Sequence, residues 1–161
     1  MRFPRTVRFD ISDTRIYQAA AAPDEWAVSG AFAFAGADPA TLGGKERQAF
    51  VHGFLGTASF GWSTFVTVAE ISDAEYEAVV RALAAHAIEC YGAPDIEAAL
   101  PAAREEAAFA AGLCEHKVNT LLSVERDFGD EGIVERFRVV EPSREADHAR
   151  IWTIVEDDGS V

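Results

Sequence analysis

The strongest constraint on the fold is a pair of alternating segments, NTLLSVERDF and IVERFRVV, separated by the polar connection GDEG. One antiparallel register places apolar side chains opposite each other on one face and an acid opposite a base on the other face. The matched pairs are Phe128 with Ile133, Val124 with Phe137, Leu122 with Val139, and Glu125 with Arg136. Because two independent kinds of pairing agree on one register, the sequence predicts a β-hairpin here.

The remaining patterns place this hairpin in a domain that mixes helices and strands. Period-two alternation predicts further strands over residues 5–10, 15–18, 26–34, 60–69 and 150–155. Helices are predicted over residues 45–54, from the capping box of Ser72 and Glu75 to about residue 91, and from Pro101 to about residue 113. This order predicts an α+β fold in two layers, a mainly antiparallel sheet of about six strands with two or three helices on one face.

The length and the charge of the chain limit its possible partners. With 161 residues and 49% hydrophobic composition, the chain is long enough to form one domain, residues 1–161, with its own buried core. Its formal net charge is −13, and a phosphate backbone repels an acidic surface. We therefore expect binding neither to nucleic acid nor to a membrane.

The sequence favours a cytoplasmic protein. The first ten residues, MRFPRTVRFD, contain basic side chains but lack the apolar core of a signal peptide. Residues 49–69 carry no Asp, Glu, Lys or Arg, yet their three glycines and several hydroxyl side chains make them a poor membrane span. Two cysteines are too few for a secreted disulfide framework, so we expect reduced thiols.

The uncharged segment GFLGTASFGWSTFV, residues 53–66, raises the question of a catalytic or phosphate-binding loop. Its glycines lack the spacing of a Walker A loop or of a dinucleotide fingerprint, and it contains no lysine. The nucleophile motif GxSxG requires a second glycine where Phe65 follows Ser63. The adjacent acids Glu105 and Glu106 diverge on a helix and so do not form an acid-base pair. We interpret Ser63 as part of a core strand and favour a protein that is not an enzyme.

Two histidines and two cysteines form a possible metal site. His86 and Cys90 are four residues apart on one predicted helix, and Cys114 and His116 follow at the end of the next. Two thiolates and two imidazoles can complete a tetrahedral zinc site. The alternative is that these are ordinary buried or helix-end side chains, because Cys-x-His is not a standard chelating spacing. We expect no cofactor, with zinc as the alternative.

Acidic residues are concentrated in the predicted helical layer. Residues 1–69 carry six acids and six bases, whereas residues 70–115 carry ten acids and two bases, a net charge of −8. This charge either attracts a basic protein partner or simply keeps a solvated face soluble. Candidate partner-binding residues are one apolar residue, Ile88, and six acids, Asp73, Glu77, Glu89, Glu97, Glu105 and Glu106. The partner would be another protein or a second copy of this chain.

A small-ligand site between aromatic strand faces is a further alternative. Its walls would be formed by Trp26, Phe32, Trp62 and Phe65. Large aromatic side chains on strands also pack in the core, which is their usual location. The sequence leaves both interpretations open.

Three segments carry a resemblance to known proteins. The segments GFLGTASFGWSTFV, WAVSGAFAFAGADPA and ALPAAREEAAFAAGLCEH resemble a family of small, functionally uncharacterised bacterial proteins. The likeness spans most of the chain. It implies one compact domain with an accessory role, and it assigns no catalytic residue.

Overall fold

The computed structural model describes residues 1–142 and the backbone of residues 152–156. Its strands are β1 (Arg2–Val7), β2 (Ala27–Val28), β3 (Phe54–Gly56), β4 (Trp62–Ser63), β5 (Phe65–Glu70), β6 (Leu121–Gly129), β7 (Gly132–Pro142) and β8 (Trp152–Glu156). Its helices are α1 (Ser12–Ile16), α2 (Gly44–His52), α3 (Asp73–Cys90) and α4 (Ile96–Gly112), and a short 3₁₀ helix spans Ala31–Phe34. These elements confirm the α+β class.

The strands form two antiparallel sheets, which confirms the mainly antiparallel prediction. The strand order is β1-β5-β6-β7-β8 in the larger sheet and β2-β3-β4 in the smaller one. An isolated antiparallel bridge between Arg5 and Trp26 connects β1 to the residue before β2. The chain passes from the smaller sheet to the larger one at Thr64, which lies between β4 and β5 and whose hydroxyl donates to Asp13 at 2.8 Å.

Strands β6 and β7 form the predicted hairpin in the predicted register. All four matched pairs are Cα partners. Gly129 also pairs with Gly132, so the connection between the strands is shorter than predicted. Gly132 has a positive φ of 125°, a conformation that glycine adopts without steric cost in a tight turn.

The two long helices begin at side-chain caps. Ser72 Oγ accepts a hydrogen bond from the Glu75 amide at 3.1 Å, and Glu75 Oε1 accepts one from the Ser72 amide at 3.0 Å. This is the predicted capping box. Helix α4 begins before Pro101, its predicted start, because Asp95 accepts a hydrogen bond from the Ala98 amide at 2.9 Å. In the described part of the chain, none of the helices combines the length and the hydropathy needed to cross a bilayer.

Three apolar clusters form the core. In the first, residues of α3 and α4 pack against Phe3, Val28 and Leu55 from both sheets. Helix α4 can approach closely because its buried residues are alanines, namely Ala99, Ala103, Ala107 and Ala110. The second cluster lies between the sheets and includes Phe54 and Leu122. The third packs α2 against the 3₁₀ helix.

Two segments predicted as strands are mostly helical or turned. The strand predicted over residues 26–34 is limited to β2, because Gly30 takes a left-handed φ of 85° and the 3₁₀ helix follows it. The prediction of a strand over residues 15–18 is wrong. There, Asp10 Oδ1 accepts a hydrogen bond from the Ser12 amide at 2.7 Å, and α1 starts instead of a return strand.

The other predicted strands and helices are present, but their first or last residues differ from the predicted ones. The strand predicted over residues 60–69 begins at β4, because Phe60 takes a left-handed φ of 55°. The helix predicted over residues 45–54 ends at His52, and β3 follows. The first strand begins earlier than predicted, at β1, and the last predicted strand corresponds to β8.

A buried arginine joins three parts of the core. Arg126 on β6 is fully buried, and its Nε donates to the Glu135 carboxylate on β7 at 2.8 Å. Its Nη1 donates to the carbonyl oxygens of Phe50 at 2.9 Å and Gly53 at 2.7 Å, and its Nη2 donates to that of Ser29. The guanidinium therefore satisfies carbonyl groups at the end of α2 and links the two sheets.

Gly30→Ala should lower the free energy of unfolding by about 2 kcal/mol. A β carbon at Gly30 would lie 2.7 Å from Trp62 and 2.8 Å from Leu55, in a backbone conformation that already disfavours alanine. Gly36→Ala is the matched control, because Gly36 has a similar φ of 84° but open space around it. Chemical denaturation measures the free energy of unfolding of both variants. The loss in Gly36→Ala gives the cost of the left-handed backbone alone, and the additional loss in Gly30→Ala gives the cost of the steric contacts. Equal losses would contradict the close packing of Trp62 on Gly30.

Candidate functional site

The acidic layer comprises residues 70–115, which include α3, α4 and their connection. Four of its predicted partner-binding acids are exposed, namely Asp73, Glu89, Glu97 and Glu105. Glu77 on α3 forms an ion pair with Arg104 on α4, whose two Nη atoms donate to the carboxylate at 3.0 and 3.2 Å. This exposed ion pair bridges the two helices and neutralises part of the layer.

The exposed apolar residues of the acidic layer differ from the prediction. Ile88 is half-buried and packs against the core cluster beneath α3, so it is not an exposed contact residue. Exposed instead are Tyr91, Ile96 and Phe109, with 47%, 44% and 46% of their surface accessible. Aromatic side chains such as those of Tyr91 and Phe109 are enriched in protein interfaces.

Four rings lie in contact at the C-terminal end of α3. The Phe60 ring stacks on His86, with centroids 3.7 Å apart and an interplanar angle of 4°. Tyr91 makes T-shaped contacts with His86 at 5.4 Å and with Phe32 at 5.6 Å. We name these four residues the aromatic row. Tyr91 is its exposed member, and the other three are half-buried.

A buried carboxylate holds Phe60 in the aromatic row. Glu25 is buried, and its Oε1 accepts hydrogen bonds from the amides of Ala58 at 3.0 Å and Ser59 at 2.8 Å. Its Oε2 accepts from the Ala22 amide at 2.6 Å and from Ser59 Oγ at 2.7 Å. These bonds fix the loop in which Phe60 takes its left-handed φ, a conformation that is rare for a bulky residue.

The charge state of His86 follows from its position in the aromatic row. Burial lowers the pKa of His86, and the carboxylate of Glu89 partly opposes that shift. The imidazole is therefore neutral at neutral pH. As a result, the charge beside the row is that of Glu89 rather than that of a histidine cation.

A shallow pocket of about 300 Å³ lies between α4 and β7. Its lining residues are Ser29, Ala31, Glu105, Glu106, Phe109 and Glu135. Phe109 makes a T-shaped contact with Phe137 at 5.8 Å. Glu135 is fixed by Arg126 and by Ser29 Oγ, which donates to it at 2.8 Å. The pocket thus combines an exposed ring with three carboxylates, one of them neutralised by the buried arginine.

Repulsion and burial both act on Glu106 in this pocket. Burial raises the pKa of Glu106, and the carboxylates of Glu135 and Glu105 raise it further, while Arg126 lowers it in part. A positive charge entering the pocket would relieve this repulsion. The pocket therefore places the carboxylates of Glu105 and Glu106 on the side of the acidic layer that faces β7.

The structure does not bring the four predicted metal ligands together. His86 belongs to the aromatic row, Cys90 is exposed at the end of α3, Cys114 is buried between the sheets, and His116 lies in the connection to β6. Burial raises the pKa of the Cys114 thiol to about 12, which disfavours the thiolate that zinc requires. Within residues 1–142 and 152–156, no three His, Cys, Asp or Glu residues are grouped to hold a metal ion.

Ser63 and the aromatic side chains predicted to line a ligand site have structural contacts. Ser63 is buried, and its Oγ donates to the Phe65 carbonyl oxygen at 2.8 Å rather than to a general base. The predicted wall residues contact different neighbours, Trp26 with Phe3, Phe32 with Tyr91, Trp62 with Phe34, and Phe65 with Phe9. Trp26, Phe32 and Trp62 also pack against the first core cluster.

Several residues that shape the site are not evident from sequence patterns. Arg126 and Glu135 face each other on the apolar side of the hairpin, and a charged pair on that side is the signal that identifies them. Glu25 has no comparable signal, because its hydrogen-bond donors include Ser59, 34 residues away. Helical periodicity places Tyr91 on the buried face of α3, but the helix ends one residue before it.

Comparison with known proteins agrees with the resemblance found in the sequence. A protein family of unknown function, DUF6505, matches residues 1–156. Neither the curated proteins nor the solved structures include a match to the chain. The family match covers both described ranges, including the acidic layer and the hairpin. The chain therefore belongs to DUF6505, a family of unknown function.

Proposed function

We propose that this protein is a non-enzymatic accessory domain that binds a basic segment of a partner protein on its acidic layer. The observation that carries the proposal is the concentration of charge, because residues 70–115 hold ten acids and two bases while residues 1–69 are balanced. Eight of these ten acids are exposed, and four of the eight, Asp73, Glu89, Glu97 and Glu105, lie on the packed helices α3 and α4. Such a surface attracts a positively charged partner and accelerates its association.

The acidic layer has the rigidity that a binding surface needs. Side-chain caps fix the start of α3 and of α4, and the buried alanines of α4 pack closely against the core. The exposed side chains of Tyr91, Ile96 and Phe109 supply apolar contacts that charge attraction alone does not provide. Groups already held on rigid helices lose little further conformational freedom on binding.

Charge also favours a basic protein over other partners. A symmetric dimer through this surface would place two copies of the same acidic layer against each other, and like charges would repel. Nucleic acid and anionic lipid are repelled for the same reason. The carboxylates of Glu105 and Glu106 also line the pocket beside β7. A segment rich in arginine and lysine is the complementary ligand.

We expect the protein to select peptides rich in Arg and Lys from a random peptide library at low ionic strength. A layer variant, with Asp73→Asn, Glu89→Gln, Glu97→Gln and Glu105→Gln, should bind the selected peptides about tenfold more weakly because it loses four negative charges. Raising the salt concentration to about 0.3 M should also weaken binding to the wild-type protein. Fluorescence anisotropy measures each affinity.

The matched control neutralises four exposed acids outside the acidic layer, with Glu46→Gln, Asp127→Asn, Asp130→Asn and Glu131→Gln. This control variant has the same net charge as the layer variant, so any general attraction falls equally in both. The proposal predicts that the control variant keeps most of its affinity. Equal losses in the two variants, or a selection without enrichment of Arg and Lys, would contradict it.

A further inference from the structure

We propose that an arginine of the bound basic segment stacks on Tyr91, at the exposed end of the aromatic row, and pairs with Glu89. This inference rests on the proposed function and adds the place and the side chain by which the partner is recognised. It makes the acidic layer selective for arginine over lysine.

Tyr91 offers an accessible ring that its neighbours hold in place. Its T-shaped contacts, with His86 at 5.4 Å and with Phe32 at 5.6 Å, orient the ring. Both contacts differ from the stacked arrangement in which Phe60 covers His86. With 47% of its surface accessible, Tyr91 is the most exposed member of the row. The face of an aromatic ring carries the partial negative charge that attracts a cation.

The end of α3 carries negative charge without a basic side chain in its last turn. That turn includes Glu89 and contains no Lys or Arg. The C-terminus of a helix bears partial negative charge and is normally stabilised by a nearby cation. The carboxylate of Glu89 acts on His86, whose ring contacts Tyr91 at 5.4 Å, so a guanidinium beside Tyr91 would be attracted both by the helix end and by that carboxylate.

The aromatic row does not compete with an incoming cation. Burial lowers the pKa of His86, so its imidazole is neutral and does not repel a guanidinium at neutral pH. The hydrogen bonds of Glu25 to Ala58 and Ser59 hold the loop that carries Phe60. The row is thus arranged before a ligand arrives, which lowers the entropic cost of binding.

Arginine fits this arrangement better than lysine does. A planar guanidinium stacks on a ring while its edge still presents N–H donors, so one side chain can contact Tyr91 and a carboxylate together. The ammonium group of lysine is a compact and strongly hydrated charge without a planar surface. Lysine would gain from the charge of the acidic layer but not from stacking.

Two short peptides test the inference, identical except that every arginine of one is a lysine in the other. The arginine peptide should bind the wild-type protein roughly two- to fivefold more tightly than the lysine peptide. Tyr91→Ala should bring this affinity ratio to about one, whereas Tyr91→Phe, which keeps the ring, should preserve it. Isothermal titration calorimetry measures the affinities, and thermal unfolding checks that each variant is folded. Tyr91→Leu repeats the test with a side chain that keeps an apolar contact to Phe32.

Phe109→Ala is the matched control, because Phe109 is a similarly exposed aromatic residue of the acidic layer beside Glu105 and Glu106. It should leave the affinity ratio unchanged. Equal affinity of the two peptides for the wild-type protein, or an unchanged ratio in Tyr91→Ala, would overturn the arginine inference but not the proposed function. Binding of neither peptide would overturn the proposed function itself.

Discussion

Replacing Arg126 with methionine should lower the free energy of unfolding by about 3–5 kcal/mol. Methionine keeps much of the side-chain volume, but the Glu135 carboxylate and the carbonyl oxygens of Phe50 and Gly53 lose a buried donor. The carbonyl oxygen of Ser29 loses its contact as well, so the link between the two sheets should weaken. Urea denaturation followed by circular dichroism measures the change, and the midpoint of thermal unfolding should fall by roughly 10–15 °C.

Two further variants identify the cause of that loss. Arg47→Met removes an exposed arginine from α2 and should change the free energy of unfolding by less than about 0.5 kcal/mol. Adding Glu135→Leu to Arg126→Met should recover part of the stability, because the carboxylate that has lost its buried cation is then removed too. A loss below about 1 kcal/mol in Arg126→Met would show that the buried ion pair does not hold the core together.

Replacing Glu25 with alanine should lower the free energy of unfolding by about 3–4 kcal/mol. The substitution removes the acceptor of four hydrogen bonds, which come from the amides of Ala22, Ala58 and Ser59 and from the Ser59 hydroxyl. The loop carrying Phe60 would then lack the bonds that hold its left-handed backbone. Urea denaturation measures the stability, and the NMR signals of the His86 ring report whether Phe60 still stacks on it.

Glu25→Gln should cost about half as much, although glutamine has nearly the same shape. Each carboxylate oxygen accepts two hydrogen bonds, whereas the side chain of glutamine has one oxygen and one NH₂ group. Either orientation therefore leaves at least one backbone amide facing a donor. Glu46→Ala, at an exposed position of α2, is the control and should be nearly neutral. Unchanged stability together with unchanged His86 signals in Glu25→Ala would disprove this role of the carboxylate.

The parts of the fold that the sequence predicts correctly depend on residues close together in the chain. The register of β6 and β7 follows from side chains that face each other across a short turn, and the capping box of α3 spans four residues. The hydrogen bonds of Arg126 instead reach Gly53 and Ser29, which are 73 and 97 positions earlier. No local pattern contains such separations, so the link between the sheets requires the three-dimensional structure.

The sequence predicts the negative charge of the candidate site, but it does not predict which apolar side chains are exposed there. Composition alone shows that acids are concentrated in residues 70–115. Helical periodicity predicts that the side chain of Ile88 is exposed and that of Tyr91 is buried. In the structure, Ile88 is half-buried and Tyr91 is exposed. Tyr91 is exposed because α3 ends at Cys90, and Tyr91 continues with a φ of −124° that turns it out of the helix. Ile88 stays in the helix and packs against the first core cluster. The position of Phe60 depends on Glu25, which belongs to a different part of the chain.

Mapping of amide chemical shifts by NMR is the most direct test of the acidic layer as the binding surface. Titrating isotope-labelled protein with the arginine peptide should shift the amide signals of residues 70–115, with the largest changes near Glu89 and Tyr91. The signals of the β6–β7 hairpin should stay close to their original positions. Shifts centred on that hairpin, or spread evenly over the protein, would contradict the proposal that the acidic layer binds a basic partner.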